Sequence, residues 1–128
     1  MRMGFAKGEL VLEVGQRADC DAALREAIME ITGTTFLEGS TTDVVDAVLL
    51  WFREDDGDLV DELMDAMTYL SESGPIWVLT PKVGREGHVQ PSDIQDAAPT
   101  CGLSQTTSIA VASDWTATRL VARKAGKR

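Results

Sequence analysis

Residues 44–52 read Val-Val-Asp-Ala-Val-Leu-Leu-Trp-Phe, and no other feature of the chain constrains its fold as tightly. A run this apolar has no polar face to turn to water. It is expected as a central strand with a layer packed on each side. Asp46 interrupts it near its start, where a polar side chain still reaches the edge. The charged stretch Arg53-Glu54-Asp55-Asp56-Gly57 then reads as a turn.

Strand and helix patterns alternate around this segment. Glu9 to Val14 is rich in Val and Leu and ends at Gly15, the pattern of a buried strand running into a turn. Asp19 is expected to cap a helix through Ala22, Ala23, Leu24, Ala27, Ile28 and Ile31 that stops at Gly33. Thr34 to Leu37 reads as a short second strand. Asp58 opens the clearest helix, with Leu59, Leu63, Ala66, Met67 and Leu70 on one face and Gly74-Pro75 as its stop. Ile76 to Leu79 is a short buried strand, followed by a loop from Thr80 to Pro91 and a short helix from Asp93 to Ala98. Thr106 to Ala112 and Thr116 to Ala122 alternate and are joined by a short turn, as in an antiparallel hairpin.

Strands alternating with helices imply a mostly parallel sheet with helices on its faces, and right-handed crossovers leave few layouts. A closing antiparallel hairpin predicts an α/β protein of the Rossmann-like, compact methyltransferase type. Counting strands in chain order, the expected order is 2-1-3-4-6-5, with strand 6 antiparallel. The stretch Gly39 to Asp43 is too short for the helix that would otherwise join strands 2 and 3. Residues 1–123 are expected as one domain, and 124–128 as a basic, frayed tail.

This layout locates a site. Open α/β sheets bind ligands beyond the C-terminal strand ends where strand order reverses, here between strands 1 and 3. Gly15, Gln16 and Arg17 leave one of those ends, and Arg53, Glu54 and Asp55 leave the other. The loop after strand 4 carries Lys82, Arg85 and His88, so cations and the chain's one histidine are expected on a common rim.

Charge narrows the partners. Residues 1–74 hold 17 acidic and 5 basic side chains, residues 75–128 hold 4 and 7. A strongly acidic half repels a phosphate backbone, so nucleic acid is not an expected partner. No stretch approaches the roughly 20 apolar residues of a membrane span. Met1 to Glu9 lacks a secretory apolar core, and a cytoplasmic location is expected. Cys20 and Cys101, with a single His, do not offer the ligand set of a zinc site. No metal is expected, and buried free thiols are. Asp55-Asp56-Gly57-Asp58 lacks the alternating ligands of a calcium loop and suits helix capping better.

Two motifs bear on chemistry. Glu13-Val14-Gly15 matches the start of the Glu/Asp-x-Gly-x-Gly loop that cradles S-adenosylmethionine, with Arg17 where the next glycine belongs and Glu38 where such enzymes place an acid for the ribose. Gly15 and Glu38 are thus the candidate cofactor residues. Thr80 to His88 combines two glycines with Lys82, Arg85 and His88, donors suited to an anion. It lacks the Gly-Lys-Ser/Thr end of a P-loop. The plainer alternative is a solvated loop whose cations pair with the acidic half. Trp51, Trp77 and Trp115 are expected in the core or the hairpin.

The segments Val45-Asp-Ala-Val-Leu-Leu-Trp-Phe-Arg53, Asp56-Gly-Asp-Leu-Val-Asp61, Ile76-Trp-Val-Leu-Thr-Pro-Lys-Val-Gly-Arg85, Gly87-His88 and Pro91-Ser-Asp-Ile94 form a recognisable set. They are joined by Ala98-Pro-Thr-Cys-Gly-Leu103, Gln105-Thr106, Asp114-Trp115 and Arg119-Leu120. With these the chain resembles domain-of-unknown-function family 3052, small proteins chiefly of actinobacteria, over Ala6 to Arg123. Phe52 stands where Trp is expected. The resemblance implies a cytoplasmic single-domain protein and assigns no reaction, cofactor or partner.

Three functions remain open. The first is a non-catalytic module binding a protein partner or small anion through Arg53, Lys82, Arg85 and His88. The second is a small S-adenosylmethionine-dependent enzyme, with Asp55 or His88 acting on substrate and Glu86 or Asp93 orienting His88. The third is a subunit presenting the acidic helix face 58–65 to a basic protein.

Overall fold

The computed structural model describes residues 3–37, 44–71 and 74–122. The chain runs β1 (Val11–Val14), α1 (Ala22–Thr32), β2 (Ala47–Trp51), a 3-10 turn (Glu54–Asp56) and α2 (Leu59–Met67). It continues through β3 (Ile76–Pro81), α3 (Pro91–Thr100), β4 (Leu103–Ala110) and β5 (Trp115–Ala122).

These strands form one mixed sheet in the order β1-β2-β3-β5-β4. β1, β2 and β3 are parallel, whereas β5 runs antiparallel to both β3 and β4. The α/β class and the closing hairpin agree with expectation, but strand number and order do not. Among the described residues five strands stand in place of six, because Thr34 to Leu37 contributes a single parallel bridge, Leu12 to Leu37. Two backbone hydrogen bonds make that bridge, Leu37 N–H to Val11 O at 2.8 Å and Glu13 N–H to Leu37 O at 3.0 Å. Leu37 and β2 therefore flank β1 on opposite sides, so the direction of winding reverses between β1 and β2.

β2 and β3 are buried on both faces, and alternation sorts their side chains into two layers. Val48, Leu50, Ile76, Val78 and Leu120 meet Leu63 and Ala66 of α2 and Ile94 and Ala97 of α3. On the opposite face Leu49, Trp51, Trp77, Leu79 and Trp115 meet Leu24 and Ile28 of α1. The three tryptophans thus belong to the α1 layer.

Several element ends differ from the sequence reading. The cap of α1 is Asp21, whose Oδ1 accepts from Leu24 N–H at 2.8 Å; it stands directly before the first helical residue, where a cap must lie. Asp19 lies too early and turns to another partner. Gly33 closes α1 at φ 78°. Asp58 caps α2 by accepting from Val60 N–H at 2.9 Å, but the helix ends at Met67, short of Leu70, which pairs with Val45 instead. α3 starts two residues earlier than expected, with Pro91 in its first turn. No described helix is long and apolar enough to cross a membrane. Glu38, the stretch Gly39 to Asp43, and the tail 124–128 lie outside the described residues.

Candidate functional site

The crevice outside β1 and β2 is crossed by side chains of the protein itself. Arg53 leaves β2 and is only 5% exposed. Its guanidinium donates to Asp19 through Nε at 3.1 Å and Nη2 at 2.5 Å. Nη1 donates to the carbonyls of Gly15 at 2.6 Å and Trp51 at 3.1 Å, and reaches Asp56 Oδ2 at 3.2 Å. The guanidinium carbon also lies 5.3 Å from the centre of the Trp115 ring, a cation-π distance. Trp115 Nε1 donates in turn to Asp19 O at 3.2 Å.

Gly15 is needed for this closure. It has φ 80°, and a Cβ there would stand 2.4 Å from Trp51 O, the carbonyl that Arg53 binds. Arg17, in the place of the next glycine of a cofactor loop, forms an ion pair with Asp56. Glu13 is committed as well. Buried at the end of β1, it takes two hydrogen bonds from Arg25 at 2.6 and 2.7 Å and one from Trp51 Nε1 at 2.9 Å.

The electrostatics follow from these contacts. The hydrogen bond from Arg53 holds the Asp19 carboxyl below its ordinary range, against the opposing effect of burial. At Asp56 burial pushes upward most strongly, yet hydrogen bonds from Arg17 and Arg53 together prevail and the carboxyl titrates low. Burial alone would lower Arg53, but its bonds to Asp19 and Asp56 outweigh that and raise it. Cys20 and Cys101 are free and half-buried rather than fully buried. Burial pushes both thiols up, away from the thiolate a nucleophile needs.

Two cavities flank the C-terminal end of β3, so the predicted rim is divided. The first, about 450 Å³, is lined by Arg17, Arg53 and Arg85 but also by Asp19, Asp55, Asp56, Glu86 and Asp114. Arg85 pairs there with Asp114 at 3.2 Å. The second, about 400 Å³, contains Lys82 and His88 beside β3, the hairpin and the start of α3. His88 Nδ1 donates to the Pro81 carbonyl at 2.8 Å, so a carbonyl orients the ring at that nitrogen rather than Glu86 or Asp93. Lys82 has no ion pair with any described residue.

The structure thus brings Gly15, Arg17 and Arg53 together and separates Arg53 and Arg85 from Lys82 and His88. Sequence reading missed Asp19 as the partner of Arg53 and the Glu13–Arg25–Trp51 cluster. Glu13 among the apolar residues of β1 was the available signal, since a buried carboxylate requires a partner.

A mixed five-stranded sheet with β1, β2 and β3 parallel, a bridge at Leu37 on the far side of β1 and a C-terminal antiparallel hairpin resembles the methyltransferase folds. Solved structures agree. A SAM-dependent methyltransferase from Aquifex aeolicus matches 94% of this chain and 85% of its own at 12% identity, with a TM-score of 0.62. An O-methyltransferase of neocarzinostatin biosynthesis, solved with S-adenosyl-L-homocysteine and 1,4-dihydroxy-2-naphthoic acid, matches 91% of this chain and 50% of its own at 13% identity, with a TM-score of 0.68. Identities this low establish likeness of fold alone.

The chain belongs to the family described as Protein of unknown function (DUF3052), whose model matches residues 1–124. The uncharacterized protein Rv2239c of Mycobacterium tuberculosis is 49% identical over 129 residues, covering 99% of this chain and 81% of that protein. The uncharacterized protein Mb2263c of Mycobacterium bovis matches to the same extent.

Proposed function

We propose that this chain is a non-catalytic binding module built on a methyltransferase-like sheet, taking its ligand or partner at the C-terminal end of β3, on the side of Lys82 and His88. The state of Arg53 carries this reading. In open α/β sheets the crevice at the reversal of strand order is where a cofactor lies, and here a buried guanidinium bonded to Asp19, Asp56 and the Gly15 carbonyl ties together the loops that would hold one. A cofactor loop here would have to form around a guanidinium already bonded to two carboxylates and two carbonyls. The Arg17–Asp56 pair adds a second tie across the loop that would have to hold the cofactor.

A second reading, a small S-adenosylmethionine-dependent enzyme using Gly15 and Glu38, is favoured by the methyltransferase folds the chain resembles. Calorimetric titration with S-adenosylmethionine and S-adenosylhomocysteine separates the two. The module reading predicts no saturable heat up to millimolar cofactor. Saturable binding that Glu38→Ala weakens would overturn it in favour of the enzyme.

A further inference from the structure

The face of the sheet that meets α2 and α3 changes character along β3 and β5. Ile76 stands opposite Leu120, Val78 opposite Thr118, and Thr80 opposite Thr116. Toward the C-terminal end of β3, aliphatic pairs give way first to a mixed pair and then to two hydroxyls. Ser108 of β4 lies across from Thr118, their oxygens 3.5 Å apart, beyond the usual range of an O–H···O bond. Thr80 and Thr118 are each only 4% exposed, in positions where a core would take Val.

The Thr80 hydroxyl makes no hydrogen bond with any described residue. Among the described residues no buried side-chain polar atom is fully enclosed without a partner, so this hydroxyl opens into the cavity that it lines. Val83, Val89, Pro91 and Ile94 supply apolar wall, and Lys82 and His88 complete it. Among the described residues no carboxylate lines this cavity, although the chain carries a net charge of −9. The neighbouring cavity has its arginines already matched by acids; this one has a cation without a counter-charge.

We propose that this cavity binds a small organic anion, a carboxylate with an apolar body, whose charge meets Lys82 and whose oxygens take the hydroxyls of Thr80 and Thr116. The inference rests on reading the chain as a binding module and names the class of its ligand. One ammonium balances the single charge of a carboxylate, whereas a phosphate dianion calls for more donors. The volume is within the range of small-molecule sites, about 300–1,000 Å³, and the lining combines an apolar side with a row of polar groups.

Octanoate serves as the probe, titrated to about 10 mM into ¹⁵N-labelled full-length protein, with octanol and inorganic phosphate as controls. Expected are shifts confined to residues 80–91, 94, 105–108 and 116–118, and binding weakened about tenfold or more in Lys82→Gln and for octanol. Thr80→Val is expected to weaken octanoate while leaving the melting temperature unchanged or higher, because it replaces an unpartnered hydroxyl with a methyl. No localised shift, equal response to phosphate, or octanoate binding indifferent to Lys82→Gln and Thr80→Val overturns the site. The same sample titrated with S-adenosylmethionine keeps the two readings apart. Cofactor shifts around Gly15 and Arg53 sink the non-catalytic reading, whereas loss of the octanoate response alone sinks only the carboxylate site.

Discussion

At the scale of single residues, Arg53 organises the crevice, and its contacts were only partly legible. A cation after a buried strand was visible in the sequence; that it folds inward was not, because Asp19 is 34 residues away. Its carboxylate partners make stability depend on pH. Asp56 titrates below its ordinary value, so its contribution is complete above the unfolded value, near 4, and is lost as pH falls through the lower folded value. Urea midpoints measured from pH 6 downward should therefore fall for the natural chain, and its lead over Asp56→Asn should narrow as the solution becomes more acid. Parallel curves for the two proteins would show that the ion pairs contribute no pH-dependent stability. Gly15→Ala should lose at least about 1–3 kcal/mol, from positive φ together with the approach to Trp51 O. Equilibrium unfolding in urea gives that difference directly.

At the scale of elements, helix and strand identity was readable wherever hydrophobic period and end signals agreed. α2 is the clearest case, with Asp58 before it and Leu63 and Ala66 on its buried face. Removing the cap with Asp58→Ala should cost about 1 kcal/mol, seen as a lower urea midpoint with an unchanged slope. The end of α2 was misread because Leu70 continues the helical spacing, yet its backbone meets Val45 beside the sheet. Strand 2 failed for a related reason. Thr34 to Leu37 has strand-like composition, but only Leu37 comes within hydrogen-bonding reach of β1, and pairing depends on where two backbones meet.

At the scale of the molecule, two apolar layers share one sheet, so the layers are expected to unfold together. Leu63 is fully buried among the α2 and α3 contacts, while all three tryptophans lie on the α1 side. Leu63→Ala should cost about 2–5 kcal/mol, and tryptophan fluorescence should report the same shifted midpoint as far-UV circular dichroism. Fluorescence that stayed at the original midpoint would mean that the layers melt independently. The uneven charge also has a place in the fold, since arginines of the first cavity are matched by acids from both halves of the chain, Asp19 and Asp56 from one and Asp114 from the other.

By itself the sequence determined the class of the fold, the central strands, the three helices, the terminal hairpin and the family. All of these are written in local pattern: apolar runs, caps and turn residues act over a few positions. Tertiary structure alone decided which cations remain available. It buried Arg53 against Asp19 and Asp56, paired Arg85 with Asp114, and left Lys82 beside a row of hydroxyls on three different strands. The reason is physical: ion pairing and cavity formation depend on distances between segments far apart in the chain, and burial decides whether a charge must find its partner within the protein.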